Sequence, residues 1–157
     1  MVGAASSRLR YDRLTAGTGA ARAHGMVRLD AAVHHAGNDD DRICMFGAWL
    51  DGALLGVASV YRDVQLGPPQ GGIYRIADVA VRAHDQGLDA TTGLIARCSA
   101  YAARHGGRTL WCDAPIEAVS LWRRCGFSVG GPARRPRGGG LQLPMVQRVR
   151  PTPLRVL

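Results

Sequence analysis

Apolar and polar positions fall into distinct blocks along the chain, and the clearest block predicts a β-hairpin. Two apolar runs, "ICMFGAWL" at 43–50 and "ALLGVASVYRDV" at 53–64, are separated only by Asp51-Gly52. An Asp-Gly pair between apolar runs favours a tight hairpin turn, because that turn needs residues that tolerate positive φ. The pattern therefore predicts two antiparallel strands joined by a two-residue turn.

Shorter apolar runs predict the remaining strands. "RLRYDRL" at 8–14 alternates weakly, whereas "IYRIADVAV" at 73–81 is too apolar for an edge strand. "RTLWCDA" at 108–114 predicts another central strand. "FSVGG" at 127–131 and "LQLPMVQRV" at 141–149 predict the last two.

Helical spacing predicts helices between these strands. Residues 20–36 have the spacing of one helix or a broken pair, and 90–105 carry a helical stripe that ends at Gly106-Gly107. A short helix at 118–125 is closed by Gly126. The order of elements predicts an α/β fold with a mixed, mostly antiparallel sheet of six to seven strands and about four helices.

Length and composition favour a single domain over residues 1–150, followed by a mobile tail at 151–157. The chain has 157 residues, of which 46% are hydrophobic, and this is enough for one buried core. No apolar run is long enough to span a bilayer, and the first residues lack the apolar centre of a secretory signal. We therefore expect a cytoplasmic monomer or homodimer without a membrane partner.

The four cysteines predict neither a disulfide framework nor a metal site. They lie far apart, without a CxxC pair, at Cys44, Cys98, Cys112 and Cys125. Zinc-ligand spacing is therefore absent. We expect reduced thiols that are buried or half-buried.

The positive charge is concentrated in the last quarter of the chain. Residues 1–117 contain 12 arginines and 12 acidic residues, whereas residues 118–157 contain 8 arginines and no acidic residue. This distribution indicates either a polyanionic partner such as nucleic acid or a solvated basic surface.

Three segments resemble the Gcn5-related N-acetyltransferase (GNAT) superfamily. "DVAVRAHDQGLDATTGLI" resembles the strand, turn and helix that hold coenzyme A, and "GGRTLWCDAPIEAVSLWRRCGF" resembles the next strand and helix. "GGGLQLPMVQRV" resembles the closing strand. The resemblance extends from about Cys44 to Val149. It implies a GNAT-like sheet and an acyltransferase that uses no tightly bound cofactor.

The resemblance also implies a set of site residues. Backbone N–H groups of the strand at 73–81 would polarise the acyl carbonyl. Asp78 is the candidate general base for a small-molecule amine acceptor, and His84 is the next candidate. The residues expected to bind the donor are Ile76, Ala77, Val79, Val81, Gln86, Gly87, Leu88, Asp89, Ala90, Thr91 and Trp122.

Two features depart from the family pattern. The turn that should end in an Arg/Gln-x-x-Gly-x-Gly/Ala pattern has Asp89 and Thr91 at its last two small positions. A Cβ there keeps a pyrophosphate away from the backbone, and a carboxylate repels it. We expect Asp89 to be the N-cap of the following helix. Trp122 stands where many members have a tyrosine that protonates the departing thiolate, and an indole cannot supply a proton at neutral pH.

Three hypotheses follow. The chain transfers an acyl group from acetyl-CoA or another acyl-CoA, or an aminoacyl group from aminoacyl-tRNA, or it is a non-catalytic module that binds nucleic acid or a protein partner. The tRNA donor is preferred because it explains both departures and the basic terminus by one cause. The arginines expected to contact tRNA phosphates are Arg123, Arg124, Arg134, Arg135 and Arg137.

Overall fold

The computed structural model describes residues 9–14, 43–63, 72–83 and 87–152, without the side chain of Asp78. The strands in these ranges are β1 (Leu9–Leu14), β2 (Ile43–Leu50), β3 (Ala53–Arg62), β4 (Ile73–Val81), β5 (Thr109–Pro115), β6 (Ser128–Val129) and β7 (Gln142–Arg148). The helices are α1 (Gly87–Arg104) and α2 (Val119–Arg124), and a 3-10 turn at Ile116–Ala118 precedes α2.

The strands form one seven-stranded sheet in the order β1-β2-β3-β4-β5-β7-β6. The β4–β5 pair is parallel and the other neighbours are antiparallel, which confirms the predicted mixed, mostly antiparallel α/β fold. The described residues contain two of the roughly four predicted helices. The helical segment predicted at 20–36 lies outside the described residues.

The hairpin between β2 and β3 is built as its sequence predicts. Asp51 and Gly52 both have positive φ, 49° and 82°, and the strands on either side pair from Leu50 with Ala53 to Ile43 with Tyr61. Because both turn residues adopt left-handed conformations, the turn matches the twist of the two strands. This confirms the predicted hairpin.

The helix α1 covers one face of the sheet. Its residues Leu94, Cys98 and Ala102 are fully buried, and they belong to the same core cluster as Tyr74 and Ile76 of β4. The helix ends at Arg104, where Gly106 has a φ of 80° and the N–H of Gly107 donates to Ala102 at 2.7 Å. This left-handed termination is the one that the Gly106-Gly107 pair predicts.

A glycine on α1 allows the edge strand β1 to reach the helix. The Tyr11 hydroxyl donates a hydrogen bond to the backbone carbonyl of Asp89 at 3.1 Å. A Cβ at Gly93 would clash with that hydroxyl. The small residue at 93 therefore sets how closely β1 and the start of α1 approach each other.

A β-bulge in β4 changes which side chains face α1. Ser59 pairs with Asp78 and Val60 pairs with Ile76, so that Ala77 is an extra residue in β4. Before the bulge Tyr74 and Ile76 pack in the core cluster under α1, and after it Val79 and Val81 pack against that same cluster. An extra residue bends a strand and increases its local twist. The bulge therefore turns the second half of β4 away from its original course.

β4 and β5 separate soon after they meet. Only Ile73–Arg75 of β4 pairs with β5, opposite Thr109–Trp111. β5 then continues to pair with β7 as far as Pro115, which lies opposite Gln142. The two central strands are thus hydrogen-bonded at one end of the sheet and diverge towards the other.

The last two strands have a spatial order in the sheet that the sequence analysis does not address, and one of them is shorter than predicted. β7 lies between β5 and β6, and β6 contains only Ser128–Val129 of the predicted run at 127–131. Pairing of β7 with both strands is a non-local contact that the hydrophobic pattern does not encode. Neither α1 nor α2 is both long enough and apolar enough to cross a membrane.

Candidate active site

The diverging strands enclose a cavity of about 470 Å³ between β4 and β5, within the range usual for small-ligand sites. Six of its lining residues are among those predicted to bind the donor: Ile76, Ala77, Val79, Val81, Thr91 and Trp122. Six others were not predicted as site residues: Cys112, Asp113, Pro115, Ala118, Leu121 and Gln142. We call this cavity the β4–β5 cleft.

The first wall of the cleft is β4. Beyond Arg75, no strand in the described part of the chain pairs with the edge of β4 that faces β5. Backbone N–H groups on an unpaired edge remain able to bind a ligand. The β4 wall therefore offers hydrogen-bond donors between small and branched apolar side chains.

Trp122 closes the cleft from α2. The side chain is 6% exposed, and its ring lies edge-on to Phe127 with the two centroids 5.0 Å apart. The chain turns between these residues at Gly126, which has a φ of 91°. The "WRRCGF" segment thus packs an aromatic pair into the core and leaves one side of Trp122 in the cleft.

The turn before α1 differs in one respect from its sequence-based description. The helix begins at Gly87, so Asp89 lies in the first helical turn, and the prediction that Asp89 is the N-cap is wrong. Local propensity locates a helix start only to within one or two residues, and an acidic residue is also favourable in the first turn. Burial raises the pKa of the Tyr11 hydroxyl, and the nearby Asp89 carboxylate raises this pKa further.

The residues of this turn that were predicted to bind the acyl donor differ in their exposure. Leu88 and Asp89 are exposed, whereas Ala90 is fully buried in the core. Thr91 lines the cleft, and its hydroxyl donates to the carbonyl of Gly87 at 2.8 Å. Among the described residues around this turn, Val81 and Thr91 therefore line the β4–β5 cleft.

Two of the predicted site residues, His84 and Gln86, lie outside the described residues. Asp78 lies on β4 opposite Ser59, next to the bulge, and its side chain is not among those described. The assignment of Asp78 as general base and of His84 as second candidate stays a prediction.

The second wall of the cleft is β5, and it carries a carboxylate that the sequence reasoning missed. One oxygen of Asp113 accepts a hydrogen bond from Nη2 of Arg75 at 3.2 Å, and the other accepts from Nη2 of Arg134 at 3.1 Å. The signal was present in "TLWCDAP", because a charged residue in an otherwise buried strand is rare unless it has partners. Asp113 is partly exposed to the cleft.

The thiol next to it is not a nucleophile. Cys112 lines the cleft and is 2% exposed. Burial, followed by the neighbouring Asp113 carboxylate, raises the pKa of Cys112 to about 12. The thiol therefore stays protonated at neutral pH, whereas the thiolate is the reactive form. All four cysteines are unpaired, as the sequence predicts.

The arginines predicted to contact tRNA lie on two elements, α2 and the loop between β6 and β7. Arg123 and Arg124 are exposed in the last turn of α2. Arg134, Arg135 and Arg137 lie on the loop between β6 and β7, and Arg134 is paired with Asp113. In the described ranges no cluster of His, Cys, Asp and Glu could hold a metal ion.

Comparisons with known proteins agree with this geometry. The family model described as "Acetyltransferase (GNAT) family" matches residues 9–127. No curated protein is significantly similar to the chain in sequence. Many solved structures share the fold.

Three of these structures illustrate the likeness. An acetyltransferase from Bacillus subtilis in complex with CoA has 17% identity and a TM-score of 0.69, over 90% of this chain and 99% of that one. An IAA acetyltransferase from Bacillus cereus has 16% identity and a TM-score of 0.68, over 90% and 100%. An aminoglycoside 6'-N-acetyltransferase from Enterococcus faecium has 10% identity and a TM-score of 0.70, over 92% and 99%.

None of these comparisons supports the preferred aminoacyl-tRNA donor, and they favour the acyl-CoA alternative. The preference for a tRNA donor gives basic composition and the two departures from the family pattern more weight than the spacing of the motifs. The family match covers most of the chain, and the cleft lies along the strand whose N–H groups the resemblance assigns to the acyl carbonyl. This chain belongs to the GNAT family of acetyltransferases.

Proposed function

We propose that the protein transfers an acetyl group from acetyl-CoA to the amine of a small molecule. The observation that carries the proposal is the β4–β5 cleft, in which an unpaired edge of β4 faces a cavity of about 470 Å³. The similar structures include a CoA complex and acetyltransferases of small molecules. A preformed cavity with aligned backbone donors suits an acyl thioester.

The residues of the cleft have separate roles in this proposal. Backbone N–H groups of the β4 segment Ile76–Val81 stabilise the negative charge that develops on the acetyl oxygen. The acceptor nitrogen attacks the carbonyl carbon, and the bond between that carbon and the coenzyme A sulfur breaks. Asp78, with His84 as the second candidate, takes the proton that the amine must lose.

Trp122 shapes the thiol end of the cleft without acting as an acid. The indole N–H donates a hydrogen bond and does not release its proton at neutral pH. The departing thiolate is therefore protonated by water or by another group. Gln86, Gly87, Leu88 and Asp89 stay the residues proposed to meet the pyrophosphate, with Asp89 weakening that contact by charge repulsion.

The test is a calorimetric titration of the purified protein with acetyl-CoA, together with an assay of acetyl transfer to a panel of small amines. Val79→Phe places a ring in the cleft, and we expect it to abolish acetyl-CoA binding. Ile73→Phe on the same strand is the matched control, because Ile73 lies where β4 still pairs with β5. We expect this variant to bind acetyl-CoA like the original protein.

A parallel titration with a pool of aminoacyl-tRNA at two salt concentrations examines the other donor. We expect acetyl-CoA to bind and the tRNA pool to bind weakly at both concentrations. Salt-sensitive tRNA binding without acetyl-CoA binding would overturn the proposal and support the tRNA donor, because phosphate contacts weaken steeply with salt.

A further inference from the structure

Asp113, which lines the cleft on β5, forms a charged cluster with two arginines that are not among the lining residues. The arginines come from different elements: Arg75 is on β4, and Arg134 is on the loop between β6 and β7. Each donates through Nη2 to a separate oxygen of Asp113, at 3.2 and 3.1 Å. We call these three residues the Asp113 cluster.

The cluster is held in place by the sheet. The guanidinium of Arg75 lies 4.4 Å from the centre of the Trp111 ring, and Arg75 pairs with Trp111 in the β4–β5 ladder. Trp111 in turn donates from its indole N–H to Asp63 at 3.2 Å, in a buried hydrogen bond. On the other side, the backbones of Arg134 and Gln142 exchange two hydrogen bonds of 2.7 Å. The guanidinium of Arg75 and the backbone of Arg134 are therefore held in place before a ligand arrives.

The cluster retains unused hydrogen-bonding capacity. The Arg134 side chain is 60% exposed and the Arg75 side chain 33% exposed. The Nε of Arg75 is buried and has no hydrogen-bond partner among the described residues. A guanidinium has five N–H donors, and two neighbouring ones suit a carboxylate.

The charges of the cluster match a zwitterion. Of the twelve residues that line the cleft in the described part of the chain, Asp113 alone is charged, and its carboxylate suits an ammonium group. The two guanidinium groups outnumber this carboxylate, so the cluster keeps a net positive charge. That charge attracts a carboxylate and repels an acceptor with several ammonium groups.

We propose that the Asp113 cluster selects an acceptor of the α-amino acid class, which carries a carboxylate next to its reactive amine. This inference rests on the proposed acetyl transfer. Arg134 and Arg75 bind the carboxylate, and Asp113 orients the ammonium group towards the bulge at Ala77 on the opposite wall. After the amine loses its proton, its nitrogen forms the new bond to the acetyl carbon of acetyl-CoA, and coenzyme A leaves as the thiol.

The first experiment compares matched acceptors in the acetyl-CoA assay. L-Phenylalanine, phenylalaninamide and phenethylamine share a side chain, but only the first has a free carboxylate. We expect kcat/KM for phenylalanine to exceed that for both analogues by roughly tenfold or more, the usual effect of a hydrogen bond between charged groups. Leucine and isoamylamine form a second pair. Equal values within each pair, or a preference for a polyamine such as spermidine, would overturn the inference.

Variants of the Asp113 cluster test which of its residues recognises the carboxylate of the acceptor. Arg134→Gln should raise KM for phenylalanine by roughly tenfold and leave KM for phenethylamine and acetyl-CoA unchanged. Arg135→Gln is the matched control, because it removes an exposed charge from the same loop without touching Asp113. Asp113→Asn should raise KM for both amines. An equal effect of Arg134→Gln and Arg135→Gln on phenylalanine would contradict a specific carboxylate site.

Binding measurements without catalysis can refute this inference and the proposed function independently of each other. Phenylalanine and phenethylamine are titrated into the protein by calorimetry, with and without coenzyme A. If acetyl-CoA does not bind, but phenylalanine binds and Arg134→Gln abolishes that binding, acetyl transfer is refuted and the carboxylate site is retained. Binding of acetyl-CoA without any preference for phenylalanine over phenethylamine would retain the proposed function and refute the inference.

Discussion

The two edges of β4 differ sharply. One edge pairs with β3 from Tyr74 to Val81, with a single irregularity at Ala77. The other edge pairs with β5 only over Ile73–Arg75. Since both edges belong to the same apolar strand, side-chain composition does not explain the difference.

The neighbours of β4 and β5 account for the difference. β4 follows β3 along almost its whole length, and β5 follows β7 over all seven of its residues. The bulge at Ala77 bends β4 at the point where the two strands part. The free edge faces the cleft and supplies donors for a ligand, whereas the paired edge supplies rigidity. One strand thus combines a fixed scaffold with an open binding surface.

The largest expected effect comes from deletion of Ala77, which removes the extra residue. A strand that keeps its pairing with β3 then has no bend, with Val79 still opposite Ala58 and Val81 still opposite Gly56. We expect this straight strand to continue alongside β5 and to narrow the cleft. Because the same side chains stay on the core face, the free energy of unfolding, measured by urea denaturation, should fall by only about 1 kcal/mol. Acetyl-CoA binding should be lost.

Ala77→Gly keeps the number of residues and is the control for this deletion. It should retain both stability to within about 1 kcal/mol and acetyl-CoA binding. A deletion variant that binds acetyl-CoA like the original protein would show that the bulge does not shape the cleft.

A smaller effect is expected inside the cleft. Trp122→Tyr introduces a phenol whose ordinary pKa is about 10, at the position where many family members have a tyrosine. We expect kcat to rise roughly tenfold, because a positioned acid can now protonate the thiolate, and kcat should fall again as the pH approaches that pKa. Steady-state assays between pH 6 and about 10.5 would measure both changes.

Trp122→Phe removes the indole without adding an acid. It therefore distinguishes an effect of proton donation from an effect of side-chain size. It should show no rise in kcat and no new pH dependence. If the two variants behave alike, the departure of the thiolate does not limit the reaction.

The smallest effect is expected at the open end of the cleft. Asp89→Asn removes a negative charge from the first turn of α1, and we expect acetyl-CoA affinity to rise roughly fivefold at low salt. The gain should shrink at high salt because the site is exposed and screened. Asp12→Asn, on the edge strand β1, changes the same charge elsewhere and should have no effect. Equal affinities for all three proteins would mean that Asp89 does not repel the donor.

Local sequence was sufficient for most elements. The Asp51-Gly52 turn, the bounds of β4 and the end of α1 before Gly106 each depend on residues that are adjacent or one helical turn apart. The same information located half of the cleft lining, because those residues belong to segments with a readable family pattern. The hypothesis of a tRNA donor came from the two departures from the family pattern together with the basic composition, and composition does not specify where charges lie.

The tertiary structure decided what depends on distant contacts. The insertion of β7 between β5 and β6, the bulge at Ala77 and the separation of β4 from β5 follow from strand pairing. The partners of Asp113 are 38 and 21 residues away along the chain. Periodicity within a short window determines a strand or helix, but the meeting of distant side chains is set by the whole sheet. For this protein, the sequence alone determined the elements and the family resemblance, and the assembled sheet determined the cleft and its charged wall.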